Sequence, residues 1–569
     1  MMKYTKKLFA LLLAVLMVAA LAVPALAADP TTYTVTISKD ATDKAAHTYG
    51  AYQIFTGKLE TVDGKKVLSD IQWGTGIDTT KVGALITELN AIDGVTIASG
   101  ANAAAVAKAI SDANIANDDA KAQAVADALN KALSTTTAGT GSIAADAASG
   151  TITGLAAGYY LIKDTGTIAA TENGAYTRFI LEVVDNVTVA EKANVPTVTK
   201  QVKEKNDTAG TESGWQDAAD YDIGDAVPFK IEGTLPGKFA EYDTYTTYTI
   251  TDTLSGGLTA PAAADIHITL DTETGTDISS LFNVAVNGKV ITISLKDGVD
   301  LKTAKVGDVG FTASSKIIVT YSATLNESGV TYGSAGNENK VKLEYSNNPN
   351  YNGSGDKGTT PEDKVVVFTY QINALKVEPT SDAAIDQAAY NALTDAEKAD
   401  YVKIGDKYQK VTALAGAGFT LYKEVKSGDT VSWEKVGNEI KGVTTFEFKG
   451  VDAGKYKLVE TTVPAGYNKA ADVEITVTAE YDTTSQDPKL KKLTVTPDSF
   501  AAVVTAGTND GTDAITTNGI ISGKILNEKG SVLPSTGGIG TTIVSVGGGI
   551  RVAAAVILLI TKKRVREEN

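Results

Sequence analysis

The chain contains no cysteine in 569 residues. It cannot be held together by disulfides, so core burial or some other covalent bond must stabilise it. Histidine is almost as scarce. His47 and His267 lie far apart, which leaves little for a histidine-based zinc site or a Ser-His-Asp triad. Both read as ordinary surface or strand residues. Arginine is nearly absent between the termini, and the formal net charge is −16. A nucleic-acid partner is excluded on this ground, because phosphates need clustered Lys and Arg. No G-x-S-x-G, H-E-x-x-H or G-x-x-x-x-G-K motif occurs, and no D-x-S-x-S metal motif. The reading is therefore of a chain with no metal, no cofactor and no enzymatic turnover.

What is present is enough for several cores. Hydrophobic residues make up 43% of the sequence, and the length fits about three to four domains at ~100–200 residues each. Both ends carry addresses. Lys3, Lys6 and Lys7 precede an apolar run from Leu8 to Val23. Pro24 and the small-x-small site Ala25-Leu26-Ala27 follow. This is the pattern of a signal peptide cleaved after Ala27, with Ala28 less favoured. At the other end Leu533-Pro534-Ser535-Thr536-Gly537 precedes an apolar stretch to Ile560 and the basic residues Lys562, Lys563, Arg564 and Arg566. Apolar stretch plus basic tail is a stop-transfer, transmembrane arrangement. Arg551 interrupts the stretch, where a charge is costly.

The middle alternates in strand fashion, as in Tyr33–Ile37, Tyr245–Ile250 and Lys316–Tyr321, with turn signals at Asn287-Gly288 and Asp297-Gly298. The fold class expected is all-β: three tandem immunoglobulin-like β-sandwich domains. Two segments break the pattern and read as helical insertions. One is Ala103 to Leu133, with Val106, Ile110, Ile115, Val125 and Leu129 in helical period; the other is Asp382 to Tyr401. Linker composition at Glu191 to Pro196 and Asn347 to Pro361 divides the chain. The expected units are 1–27 (signal), 28–193, 194–357, 358–531 and 532–569 (sorting signal).

Strand parity carries the chemistry. Side chains alternate faces along a strand, so Tyr456, Leu458 and Glu460 share a face that the apolar pair marks as core. Lys376 follows Phe368, Tyr370, Ile372 and Ala374 at two-residue steps, and Asn527 follows Ile521, Gly523 and Ile525. Three strands of one unit thus each aim a polar group inward, where an acid is expensive unless neutral or paired. In the preceding unit Val198, Lys200 and Val202 share a face. So do Ile250, Asp252 and Leu254, and so do Asn339, Val341, Leu343 and Tyr345; Asn337 has the same parity as Asn339 and stands as its rival.

These segments resemble those of the major (shaft) pilins of Gram-positive, sortase-assembled pili. Leu533–Gly537 resembles the LPxTG sorting signal, and Tyr456–Tyr467 matches the E-box pattern YxLxETxxPxGY. The third unit is similar to collagen-adhesin B-type pilin domains and the second, around Lys200, Asp252 and Asn339, to the A-type. His47–Phe55 and Ile71–Gly74 look like openings of such subunits. The resemblance implies Lys–Asn isopeptide bonds, Lys376–Asn527 promoted by Glu460 and Lys200–Asn339 promoted by Asp252. In the first unit Gly158–Asp164 looks like a decayed E-box with Lys163 at the acid position. No bond is expected there, and Asp164, off parity, reads as solvent-facing.

Val187–Lys192 resembles the pilin motif, with Glu191 in place of its proline, and implies Lys192 as the polymerising lysine. The resemblance further implies sortase cleavage between Thr536 and Gly537 and joining of Thr536 to Lys192 of the next copy. The implied partners are sortase, other copies of the chain, minor pilins and peptidoglycan; the implied location is a wall-anchored pilus serving cell adhesion. The alternative is a monomeric LPxTG-anchored adhesin, which needs the sorting signal but not Lys192.

Overall fold

A computed structural model describes residues 32–62, 64–115, 120–190, 195–349, 356–496 and 514–529. The signal peptide, Lys192, Leu533 to Gly537 and the apolar stretch with Arg551 lie outside these residues. Among the described residues no helix is long and apolar enough to cross a membrane. The architecture is all-β with helical insertions.

In the first unit a sheet runs in the order Lys65–Trp73, His47–Val62, Gly158–Asp164, Arg178–Val183, with Gly139–Ile143 on the second strand. A second, three-stranded sheet places Tyr33–Ser38 between Ser149–Leu155 and Val187–Ala190. Tyr33, Val35 and Ile37 face its core, as their alternation requires. The helical insertion expected over Ala103 to Leu133 is two helices, Ala103–Asp112 and Ala120–Lys131. Asn102 caps the first by accepting from the Ala105 amide at 3.0 Å. Asn114, at φ 47, turns the chain left-handed just past its end. Val106, Ile110, Val125 and Leu129 are buried against the large sheet together with the helix Val82–Asn90.

The second unit is a sandwich. Its smaller sheet contains Lys316–Leu325, Ala226–Thr234 and Val198–Val202. Its larger sheet runs Ala218–Asp220, Asp363–Phe368, Asn337–Ser346, Tyr248–Leu254, Val290–Leu295, Phe282–Asn287. Asp363–Phe368 pairs with both Ala218–Asp220 and Asn337–Ser346. The passage to the third unit therefore falls at Thr369, and the divide expected at 357/358 is moved. The Asn- and Gly-rich segment is a connection inside the second unit, because the strand after it completes that sheet.

In the third unit Tyr370–Pro379 lies between Thr445–Val451 and Ile520–Leu526, and the last pairing is parallel. The facing sheet runs Thr430–Lys441, Gly418–Ser427, Gly454–Thr462, Val473–Tyr481, Leu490–Thr496. The segment Asp382 to Tyr401 forms only two short helices, Gln387–Asn391 and Asp395–Lys398. Neither buries a side chain, so no apolar face drives a longer helix, and Thr394 starts a new capping box between them.

Candidate covalent cross-link sites and their relatives

Parity delivers the third-unit trio to one point. Lys376, Glu460 and Asn527 are 0%, 1% and 2% exposed. Lys376 Nζ lies 3.0 Å from Glu460 Oε1, an ion pair without hydrogen-bond alignment. Asn527 Nδ2 donates to the same Oε1 at 3.4 Å. The other carboxylate oxygen accepts from the Ala470 amide at 2.6 Å, which fixes the acid's orientation. The Phe419 ring lies 5.3 Å from the ammonium. Lys376 and Asn527 meet because their strands run parallel, with Lys376 opposite Ile525 and Asn527 two residues on.

The second-unit trio assembles across the two sheets. Lys200 comes from one sheet and Asp252 and Asn339 from the other; all are buried. Lys200 Nζ donates to Asp252 Oδ1 at 2.7 Å and to the Tyr321 hydroxyl at 3.0 Å. Tyr321 donates to Asp252 Oδ2 and accepts from Asn339 Nδ2 at 2.8 Å. Asn339, not Asn337, joins this cluster. The Asn337 amide is used up by Thr331, from both its N–H and its carbonyl, and by the Val367 carbonyl at 3.1 Å. Among the described residues Asn339 Oδ1 has no hydrogen-bond partner.

Burial lowers both lysines from the ordinary lysine value, against the opposing pull of Asp252 on Lys200 and of Glu460 on Lys376. An amine lowered in this way, next to a carboxamide and an acid, can act as a nucleophile. Lys423 is the instructive contrast. It sits between the second and third units, 2.9 Å from Asp207, 2.7 Å from Asp222 and 2.8 Å from Asp452. Burial alone would lower it, but Asp452 and Asp222 outweigh burial and raise it. It stays an ammonium and clasps the joint.

The same joint holds Glu204, whose carboxyl is pushed up to about 9 by burial and by its neighbour Asp220. Its Oε2 accepts from the Asp220 amide at 2.7 Å, while Tyr481 of the third unit donates to Asp220 at 3.1 Å. Between the ordinary carboxylate range and about 9 the folded chain keeps a proton that the unfolded chain releases. Stability should therefore fall as pH rises through that window. Melting temperatures followed from about pH 5 to about pH 9 should decline less steeply in Glu204→Gln; equal slopes would rule this out.

The first unit corrects two expectations. Asp164 is buried, not solvent-facing, and His47 is buried beside it, not an ordinary surface or strand residue. His47 Nδ1 lies 2.8 Å from Asp164 Oδ2, and its Nε2 lies 3.1 Å from Asp43 Oδ1. The strand Gly158–Asp164 has no solvent face. Helices cover Tyr159 and Leu161, and the three-stranded sheet covers Tyr160 and Ile162. Lys163, at the decayed acid position, donates to Asn130 Oδ1 at 3.0 Å.

Residues 223–349, which contain Asp252, Tyr321 and Asn339, match the family model described as Gram-positive pilin backbone subunit 2, Cna-B-like domain. Residues 401–491, which contain Glu460, match the SpaA prealbumin-like fold domain. Together the two matched segments cover less than half of the chain, and each is a domain described from Gram-positive pili or a prealbumin-like fold. The first match is described as B-like, whereas the motifs around Lys200 and Asp252 resemble the A-type. The chain is 23% identical over 401 residues to the trypsin-resistant surface T6 protein of Streptococcus pyogenes serotype M6, covering 66% of this chain and 70% of that protein. Among solved structures it is similar to the T6 backbone pilin of that organism, at 16% identity, TM-score 0.46, with 89% of this chain and 100% of that chain covered. It is also similar to the major pilin SpaD of Corynebacterium diphtheriae, at 16% identity, TM-score 0.41, with 89% and 99% covered.

Proposed function

We propose that the chain is the structural shaft subunit of a covalently polymerised surface pilus, a sortase substrate and not an enzyme. The observation that carries this reading is the pair of dry Lys–acid–Asn clusters in a chain with pilin-backbone domains. In each cluster the lysine passes a proton to the acid and the neutral amine attacks the asparagine carboxamide. The product is an isopeptide bond, Lys376–Asn527 beside Glu460 and Lys200–Asn339 beside Asp252, with ammonia as leaving group. Each bond forms once, so it is self-modification without turnover. Sortase then joins Thr536 to Lys192 of the next copy, and the finished polymer is anchored on peptidoglycan at the cell surface, where it supports adhesion.

Mass spectrometry tests the internal bonds. The intact mature chain should be lighter than its sequence mass by two ammonias. Glu460→Ala should restore one and Asp252→Ala the other. A wild-type mass equal to the calculated one would sink the proposal.

A further inference from the structure

We infer that Tyr321 is a second catalytic residue, beside Asp252, of the Lys200–Asn339 site, carrying the proton that the leaving ammonia needs. This inference rests on the isopeptide reading above. The two sites differ in how the acid reaches the asparagine. In the third unit Glu460 Oε1 touches both the attacking and the leaving nitrogen, at 3.0 and 3.4 Å. In the second unit no hydrogen bond joins Asp252 to Asn339 directly among the described residues. Asp252 holds Lys200 and Tyr321, and the Tyr321 hydroxyl in turn holds both nitrogens, Lys200 Nζ at 3.0 Å and Asn339 Nδ2 at 2.8 Å. Tyr321 is a buried residue, and its hydroxyl contacts to Lys200, Asp252 and Asn339 all lie in the interior of the sandwich.

The proton balance closes through it. Lys200 first gives a proton to Asp252, leaving a neutral amine and a neutral acid. The amine lone pair forms the bond to Asn339 Cγ, and the carbonyl pair moves to Oδ1. With Asp252 protonated, the Tyr321 O–H is no longer needed by the carboxylate and turns to Asn339 Nδ2. Tyr321 delivers its proton to Nδ2 and takes one from Lys200 Nζ in return. The Cγ–Nδ2 bond breaks, the carbonyl re-forms, and ammonia leaves. Asp252 then returns its proton to ammonia, which departs as ammonium. Tyr321 ends unchanged.

Tyr321→Phe keeps the ring, which packs 5.5 Å from Phe229, and removes only the hydroxyl. The chain is made by cell-free synthesis and its intact mass and cross-linked peptides are followed in time. The Lys200–Asn339 link should form about 100-fold more slowly or not at all, while Lys376–Asn527 forms at the wild-type rate. If the variant fails to fold, fluorotyrosine at position 321 decides the matter. It keeps the hydroxyl and lowers its pKa, so the rate of linking should change. An unchanged rate in either replacement overturns the role of Tyr321 while the isopeptide reading stands. A wild-type chain lacking the Lys200–Asn339 link overturns both.

Discussion

Asp252→Ala combined with Glu460→Ala should lower the melting temperature of the second and third units by about 10–20 °C. Each proposed bond closes a loop, of about 140 residues for Lys200–Asn339 and about 150 for Lys376–Asn527. By analogy with a disulfide, closing a loop of that length removes about 5 kcal/mol of chain entropy from the unfolded state. The acid variants add a second penalty, because each leaves a buried amine without its carboxylate. The pair Lys200→Met and Lys376→Met separates the two contributions. It removes amine and bond together and leaves a buried acid, which can stay protonated and neutral, in place of a buried amine, so its loss should be the smaller. Differential scanning calorimetry on all three proteins reads the order directly. Acid variants that melt with the wild type would refute the stabilising role.

The location of the bonds in the fold adds a mechanical argument. Tension enters the third unit at Tyr370 and leaves past Leu526, along neighbouring parallel strands. A bond from Lys376 to Asn527 passes that load across after a few residues, so the chain between them is not pulled. In the second unit Lys200 lies on the first core strand and Asn339 on the strand paired with Asp363–Phe368, the last one. A bond there likewise shields most of the sandwich. The strand that leaves the second unit packs Val366 and Phe368 into the core of the third, and Lys423 clasps the joint. In a pilus under tension, load would pass from the second unit to the third through these buried contacts.

Parity along the strands pointed to the residues of both trios, because a sandwich strand has one dry face and a polar residue on it stands out, but it left Asn337 and Asn339 as rivals. It failed at Asp164 because that strand is covered on both sides, and no single-strand pattern reveals a second covering layer. Tyr321 escaped for a different reason. It shares a face with Ile317, Val319, Ala323 and Leu325, where a tyrosine reads as apolar filling and its hydroxyl goes unnoticed. Lys423 did carry a signal, since it shares parity with Phe419 and Leu421. Its partner Asp207 lies 216 residues earlier in another unit, beyond the reach of any local pattern. The late passage between units at Thr369 was hidden by composition: Asn, Gly and Pro mark a turn equally well inside a domain and between two.

Lys192→Arg should abolish polymerisation. Joining Thr536 to a second copy requires an amine that reaches a thioester in an open site, and arginine keeps the charge while removing a usable nucleophile. Lys200 is the nearest lysine that cannot serve, because it is fully buried and paired with Asp252. Lys203 lies over the Trp215 ring at 5.1 Å, and Lys205 is paired with Asp207 at 2.9 Å. Both have partners in the second unit, and the resemblance of Val187–Lys192 to the pilin motif makes Lys192 the choice over them. Because the donor end and the acceptor lysine are different surfaces, the contact is heterologous and repeats without closing into a ring. Co-expressed with its sortase, the wild-type chain should give a ladder of high-mass species on denaturing gels. The Lys192→Arg chain should give monomer still attached to the wall. A persistent ladder with Lys203 or Lys205 in the cross-linked peptide would move the acceptor and leave the shaft reading intact. No ladder from either chain would make the protein a singly anchored adhesin, in which the internal bonds strengthen a monomer and Lys192 is one more surface charge.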